Sequence, residues 1–161
     1  MNSEEHAGLW AAYLDTLIEF SDHDGSRWRL RARAADESGA DESGAAVAPE
    51  FLRGDFVAWV ITAWNPESEL VTAERNAAAH EELLADVEAA GLLALPAVGM
   101  SSDRKWSEDS LLVVGAAREW VLGVAAKYRQ NAVFRWSPEA FEVVGALLPG
   151  EALRAWVCEP I

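Results

Sequence analysis

Phe56-Val57-Ala58-Trp59-Val60-Ile61-Thr62-Ala63-Trp64-Asn65-Pro66 is a run of strand-forming residues that stops in a polar turn. Its β-branched and aromatic side chains suit a pleated backbone. Phe56, Ala58, Val60, Thr62 and Trp64 share one face, and Val57, Trp59, Ile61 and Ala63 share the other. Apolar residues on both faces mark a strand covered on both sides. Pro66 disfavours helix at Asn65 and supplies no N–H, so pairing ends there and the chain turns. The run predicts the central strand of the fold, with Trp64 and Asn65 at its rim, where a ligand could sit.

Downstream, Thr72 or Ser68 is placed to cap a helix that runs to about Ala90 and stops at Gly91. Asn76 falls one turn inside that helix, on or beside its buried stripe. Leu92 to Met100 and Asp109 to Gly115 read as strands joined by the polar turn Ser101 to Lys105. A helix over roughly Ala117 to Arg129 leads to a strand from Asn131 to Trp136. The order over 56–136 is therefore strand-helix-strand-strand-helix-strand. It predicts an α+β fold with a ferredoxin-like split βαβ core, two helices covering one face of an antiparallel sheet.

The flanks add to this core. Asn2 or Ser3 caps a first helix, whose apolar stripe from Leu9 and Trp10 to Leu17 and Ile18 carries it to near Ser21. Asp22-His23-Asp24-Gly25 reads as a turn; it could form half of a metal site, but no second ligand cluster accompanies it and the solvated turn is favoured. Arg27, Arg29, Arg31 and Arg33 alternate with Trp28, Leu30 and Ala32, a half-buried strand with a basic outer face. That face is either an anion-binding stripe or, the reading we favour, an edge strand charged to discourage edge-to-edge pairing or one neutralised by the acids that follow it. The tandem repeat Ala35-Asp36-Glu37-Ser38-Gly39 and Ala40-Asp41-Glu42-Ser43-Gly44 lacks any large apolar residue, so 35–50 is expected as a mobile acidic loop. Beyond Ser137-Pro138, the segment from Val143 to Cys158 is expected to close the fold as a hairpin.

With 161 residues, 1–161 reads as a single domain with enough chain to bury a core. Thirteen Lys and Arg against twenty-seven Asp and Glu leave a net charge of −14. A field of that sign repels phosphate backbones and anionic lipid, so neither nucleic acid nor a membrane surface is expected as a partner. The lone Cys158 rules out an internal disulfide and fits a reducing cytoplasm, and Met1-Asn2-Ser3-Glu4-Glu5 lacks the basic and apolar regions of a signal peptide. His6, His23 and His80 are scattered, so no metal is expected, and no phosphate-binding glycine motif is present. No cofactor can be named from these residues.

Four places combine an element end with polar or aromatic residues that a simple core does not require: Thr62 to Pro66, Asn76, Trp106-Ser107-Glu108-Asp109-Ser110, and Gln130 to Phe134. Asn65, Asn76 and Gln130 offer uncharged donors and acceptors, and Trp64 and Trp106 offer stacking faces. Glu108 stands at the start of an otherwise apolar strand, where partial burial would raise its pKa and suit it to general acid/base work. The expected site is a ligand pocket with Glu108 as its catalytic candidate and Thr62, Trp64, Asn65, Asn76, Trp106, Ser110 and Gln130 as ligand-binding residues. The ordered set T-A-W-N-P, an Asn in the following helix, W-x-E-x-S and Q-x-A-V resembles bacterial domain-of-unknown-function family 3293, a resemblance that implies no activity. The chain is more distantly similar to phage S-adenosylmethionine lyases, with Glu108 and Gln130 at the shared positions; that likeness implies ferredoxin-like subunits in trimers and cleavage of S-adenosylmethionine. The alternative to a small-molecule site is an acidic interaction module, an immunity or inhibitor protein docking a basic partner, for which the net charge is the motive.

Overall fold

The computed structural model describes residues 2–34, 37 and 48–161. Helix α1 (Ser3–Leu14) is followed by strands β1 (Leu17–Ser21) and β2 (Arg27–Ala32). Strand β3 (Ala58–Thr62) leads through helix α2 (Ala73–Ala89) to β4 (Leu93–Met100) and β5 (Ser107–Val114). Helix α3 (Arg118–Lys127) precedes β6 (Ala132–Trp136), β7 (Phe141–Gly145), β8 (Glu151–Arg154) and β9 (Trp156–Pro160). These nine strands form one sheet in the order β8-β7-β6-β3-β5-β4-β1-β2-β9.

Ala155 alone separates the two strands at the ends of that order. Its carbonyl accepts from the Arg33 N–H at 2.7 Å, at the end of β2. One extended run therefore pairs with β7 through its first half and with β2 through its second. The sheet must curl until its edges meet, giving a nearly closed, barrel-like antiparallel sheet.

This corrects the ferredoxin-like split βαβ expectation. The predicted order of elements over 56–136 occurs, but its four strands are the middle of a mostly β structure, flanked by β1, β2 and β9 on one side and β7 and β8 on the other. The physical reason lies outside the stretch that suggested the fold. Ile18, Phe20, Leu30, Trp156 and Cys158 are buried in one cluster with Val60, Leu112 and Trp136 of the middle strands. Only a curled sheet brings both sets of side chains to one interior.

Two further boundaries move. The first helix ends at Leu14, not near Ser21, and Leu17–Ser21 is a strand. Leu14, Leu17 and Ile18 fit a helical repeat, yet Ile18 and Phe20 alternate equally well with Leu17 and Glu19, and burial inside the barrel selects the second pattern. The expected C-terminal hairpin forms between β7 and β8, but β9 leaves it to pair with β2. The acidic repeat lies outside the described residues except for Glu37, while Ala48, at the end of the expected 35–50 loop, is buried in the barrel interior.

Strand alternation sorts the core into two layers. Ala58 and Val60 of β3 point inward with Leu112, Trp136 and Phe141. Trp59 and Ile61 point outward, where Leu83 and Val87 of α2 and Val121 and Ala125 of α3 cover them. The central strand is apolar on both faces for that reason. Thr72 caps α2 by accepting the Arg75 N–H at 3.3 Å, and Gly91 follows it with φ +68°.

The arginine stripe on β2 meets acids on the outer face. Glu19, with its side chain 8% exposed, lies 3.3 Å from Arg29, 3.5 Å from Arg104 and 3.7 Å from Arg27. Arg29 also reaches Glu159, and Arg31 pairs with Glu37 at 2.6 Å. Arg27, Arg29 and Arg31 of the stripe thus meet acids, on a strand paired on both sides rather than at an open edge.

Candidate functional site at the barrel mouth

Where β3 ends, Asn65 adopts a left-handed conformation with φ +45°, which Asn tolerates better than most residues. Pro66 then starts a short 3-10 turn over Pro66–Ser68. The turn is held from α2. The Asn65 N–H donates to Asn76 Oδ1 at 2.9 Å, and Asn76 Nδ2 donates back to Asn65 Oδ1 at 3.0 Å. Both residues are 4% exposed, so this reciprocal pair satisfies groups that would otherwise be buried without partners. The Val71 N–H adds a second bond to Asn65 Oδ1 at 3.3 Å.

With its oxygen engaged, Asn65 turns its amide nitrogen toward β5. Asn65 Nδ2 donates to Glu108 Oε1 at 3.1 Å. Burial raises the Glu108 carboxyl above the usual carboxylate range, and hydrogen bonds from Asn65 and Trp106 oppose that shift without cancelling it. Across the sheet, Glu108 sits opposite Gly99 of β4, which presents no side chain and leaves space beside the carboxyl. A glycine inside a strand often marks such an approach.

These residues surround a cavity of about 420 Å³ at the mouth of the barrel. Its floor and walls are interior positions of four strands: Val60 and Thr62, Gly99, Glu108 and Ser110, and Ala132 and Phe134. Gln130 and Trp106 stand at the rim, and α1 closes one side through Leu9, Ala12 and Tyr13. Helix α1 itself buries no residue fully, and its Leu9, Ala12 and Tyr13 face this hollow. The Tyr13 ring meets Phe134 edge-on at 6.4 Å.

The polar rim is fixed by backbone contacts. Thr62 Oγ1 donates to the Asp109 carbonyl at 2.7 Å and accepts the Trp64 N–H at 3.0 Å. Ser110 Oγ donates to the Glu108 carbonyl at 3.1 Å. Gln130 Nε2 bridges the Trp64 and Tyr128 carbonyls at 2.9 and 3.1 Å, tying the β3 turn to the end of α3.

The expected site residues therefore divide. Thr62, Asn65, Trp106, Glu108, Ser110 and Gln130 line the cavity. Asn76 does not; it stands behind Asn65 and holds it. Trp64 does not line it either, and its indole N–H is buried with no partner among the described residues. The sequence reading missed Gly99 and the α1 residues Leu9 and Tyr13. An isolated glycine in a strand pattern was the available signal for the first; nothing in the α1 stripe distinguished cavity lining from core packing.

Other chemistry is poorly placed. Burial pushes the Cys158 thiol up to about 12, far from a nucleophile's range. A second, larger hollow of about 810 Å³ lies at the opposite end of β3, bounded by Asp55, Phe56, Arg118, Arg135 and Glu139, but it is shallow and its Arg135 is already paired with Glu142. Among the described residues no group of three or more His, Cys, Asp or Glu is arranged to hold a metal ion, and no helix is long and apolar enough to cross a membrane.

A family model described as "Protein of unknown function (DUF3293)" matches residues 61–133. The resemblance is shown over that stretch. Every residue that suggested it, from Thr62 to Val133, lies inside the match, and so do Glu108, Gly99 and the Asn65–Asn76 pair. The DUF3293 description names no activity. No curated protein and no solved structure matches this chain.

The buried carboxyl makes a pH-dependent prediction. Between its ordinary value and its raised folded value, the native protein holds a proton that the unfolded chain has released, so stability falls as pH rises through that window. Above the window the ionised, buried group carries the whole penalty. Glu108→Gln keeps an acceptor for Asn65 Nδ2 and removes the charge. The variant is expected to be more stable than wild type at neutral and alkaline pH, and equal to it below the carboxylate range, as read by urea denaturation across pH.

Proposed function

We propose that this chain is a small-molecule-binding domain whose site is the barrel mouth, with Glu108 anchoring the ligand between Trp106 and the Asn65 turn. One observation carries the reading. A single carboxyl is held by a fixed amide inside a mostly apolar hollow of about 420 Å³, a size usual for ligand sites. Structural economy would place a hydrocarbon there; an acid in that position needs a polar partner to offset its desolvation. Trp106, 36% exposed at the rim, supplies a face on which a planar group can stack. The raised carboxyl also suits Glu108 to take and return a proton from whatever is bound.

Gly99 gives the test its control. A Cβ there would meet Ser110 Oγ at 3.8 Å and Thr16 Cγ2 at 3.9 Å, ordinary contacts, so Gly99→Ala is tolerated. A longer side chain has nowhere to go but the cavity, beside Glu108. A metabolite panel followed by tryptophan fluorescence is expected to yield ligands whose signal persists in Gly99→Ala and is lost in Gly99→Leu, with the signal itself absent from Trp106→Phe. S-adenosylmethionine belongs in that panel, because the distant lyase likeness implies it. Binding that survives Gly99→Leu contradicts the proposal.

A further inference from the structure

The hydrogen-bonding state of each lining group narrows the ligand's chemistry. Gln130 has two amide hydrogens and both are committed, to the Trp64 and Tyr128 carbonyls, so it can offer the cavity only its oxygen. Each hydroxyl has one proton. Thr62 gives its proton to the Asp109 carbonyl, Ser110 to the Glu108 carbonyl, and Thr16 to the Ala12 carbonyl at 3.0 Å. Ser101 gives its own to Asp103 at 2.7 Å. All four hydroxyls therefore face a ligand as acceptors. Glu108 accepts when ionised, and among the described residues no Lys, Arg or His lines the hollow. The Trp106 indole gives its one N–H to Glu108. Among the described lining residues the remaining donors are few: the second Asn65 amide hydrogen and the Tyr13–Ser68 hydroxyl pair, whose oxygens are 3.5 Å apart.

Such a cavity solvates a donor and rejects an acceptor. Resting on the proposed binding site, we propose that its ligand is an uncharged or cationic planar ring bearing an amino or amidine-type N–H edge, as aminated nitrogen heterocycles do. The N–H edge meets Glu108, the ring lies against Trp106 and Phe134, and the Gln130 and Ser110 oxygens receive further donors. Phosphorylated and other net-anionic ligands are disfavoured, because an anion would approach an acidic group with no lining cation among the described residues to offset it and with acceptors on most sides. Burial also strengthens a charge-assisted N–H contact to Glu108 relative to the same contact in water.

The test uses three bicyclic rings of similar size in calorimetric titrations against the full chain: 2-aminobenzimidazole, which presents an N–H pair, quinoline, a neutral acceptor, and 2-naphthoate, an anion. The expected ranking is 2-aminobenzimidazole first, quinoline next and 2-naphthoate last. Glu108→Gln is expected to weaken 2-aminobenzimidazole by at least about tenfold, with little effect on quinoline. If quinoline or 2-naphthoate binds as well as 2-aminobenzimidazole, and Gly99→Leu abolishes both, the donor-ligand inference is overturned while the cavity reading stands. If no ring binds, or binding ignores Gly99→Leu, both fall. Should Glu108→Gln not fold, the ranking in the wild-type chain decides the question alone.

Discussion

Trp136→Ala is expected to lower folding stability by about 3–5 kcal/mol, the range for truncating a fully buried large aromatic. Trp136 has no exposed surface and sits at the hub of the barrel interior. Its ring centroid lies 5.1 Å from Phe56, 5.3 Å from Trp156 and 5.9 Å from Phe20. Those neighbours belong to the β3 approach, to β9 and to β1, so one side chain joins strands from distant parts of the sheet order. Removing it empties the place where the curled sheet closes on itself. Its indole N–H has no partner among the described residues, so Trp136→Phe removes an unpaired buried donor along with some volume and should cost distinctly less. Urea denaturation of the two variants checks both points; a loss within about 1 kcal/mol for the alanine variant would place the closure elsewhere.

Asn76→Ala is the second large effect, and it reaches the site without touching it. The variant strips the partner from the Asn65 N–H and one partner from Asn65 Oδ1, both buried. An unsatisfied buried donor costs about 1–3 kcal/mol, so a loss of about 2–3 kcal/mol is expected. Asn65 would then lose the clamp that keeps it left-handed and aimed at Glu108. Ligand binding should fall even where the protein remains folded. A variant with lowered stability and unchanged affinity would show that Asn76 supports the fold but not the site.

The central strand was legible because its evidence is local: two apolar faces and Asn-Pro at the end. The helix from Thr72 to the Gly91 stop was legible for the same reason, with a cap, a buried stripe and a terminating glycine all within one segment. The sheet's closure was not. It depends on Ala155 breaking one extended run so that its halves pair with β7 and β2, a contact between remote segments that leaves no periodic trace. The β1 error has a related cause, since Leu14, Leu17 and Ile18 satisfy both repeats and only the barrel interior chooses between them.

The site divides along the same line. Thr62, Glu108 and Ser110 were found because polar residues interrupt apolar strands, and interior parity then sends them into the barrel. Trp64 shares their parity on paper, but the chain leaves the strand at Thr62, so alternation no longer governs where its ring goes. Asn76 was read as a ligand contact although its amide is committed to Asn65. Gly99 was passed over because its contribution is the absence of a side chain.

Chemical-shift mapping of the 15N-labelled chain with 2-aminobenzimidazole tests the account most directly. The prediction is that the Trp106 indole N–H, the Gly99 amide and the Asn65 side-chain amide shift together, while the Arg118 and Arg135 signals at the opposite end of β3 stay in place. Shifts centred on Arg118 and Arg135, with Trp106 and Gly99 unmoved, would contradict a ligand site at the barrel mouth.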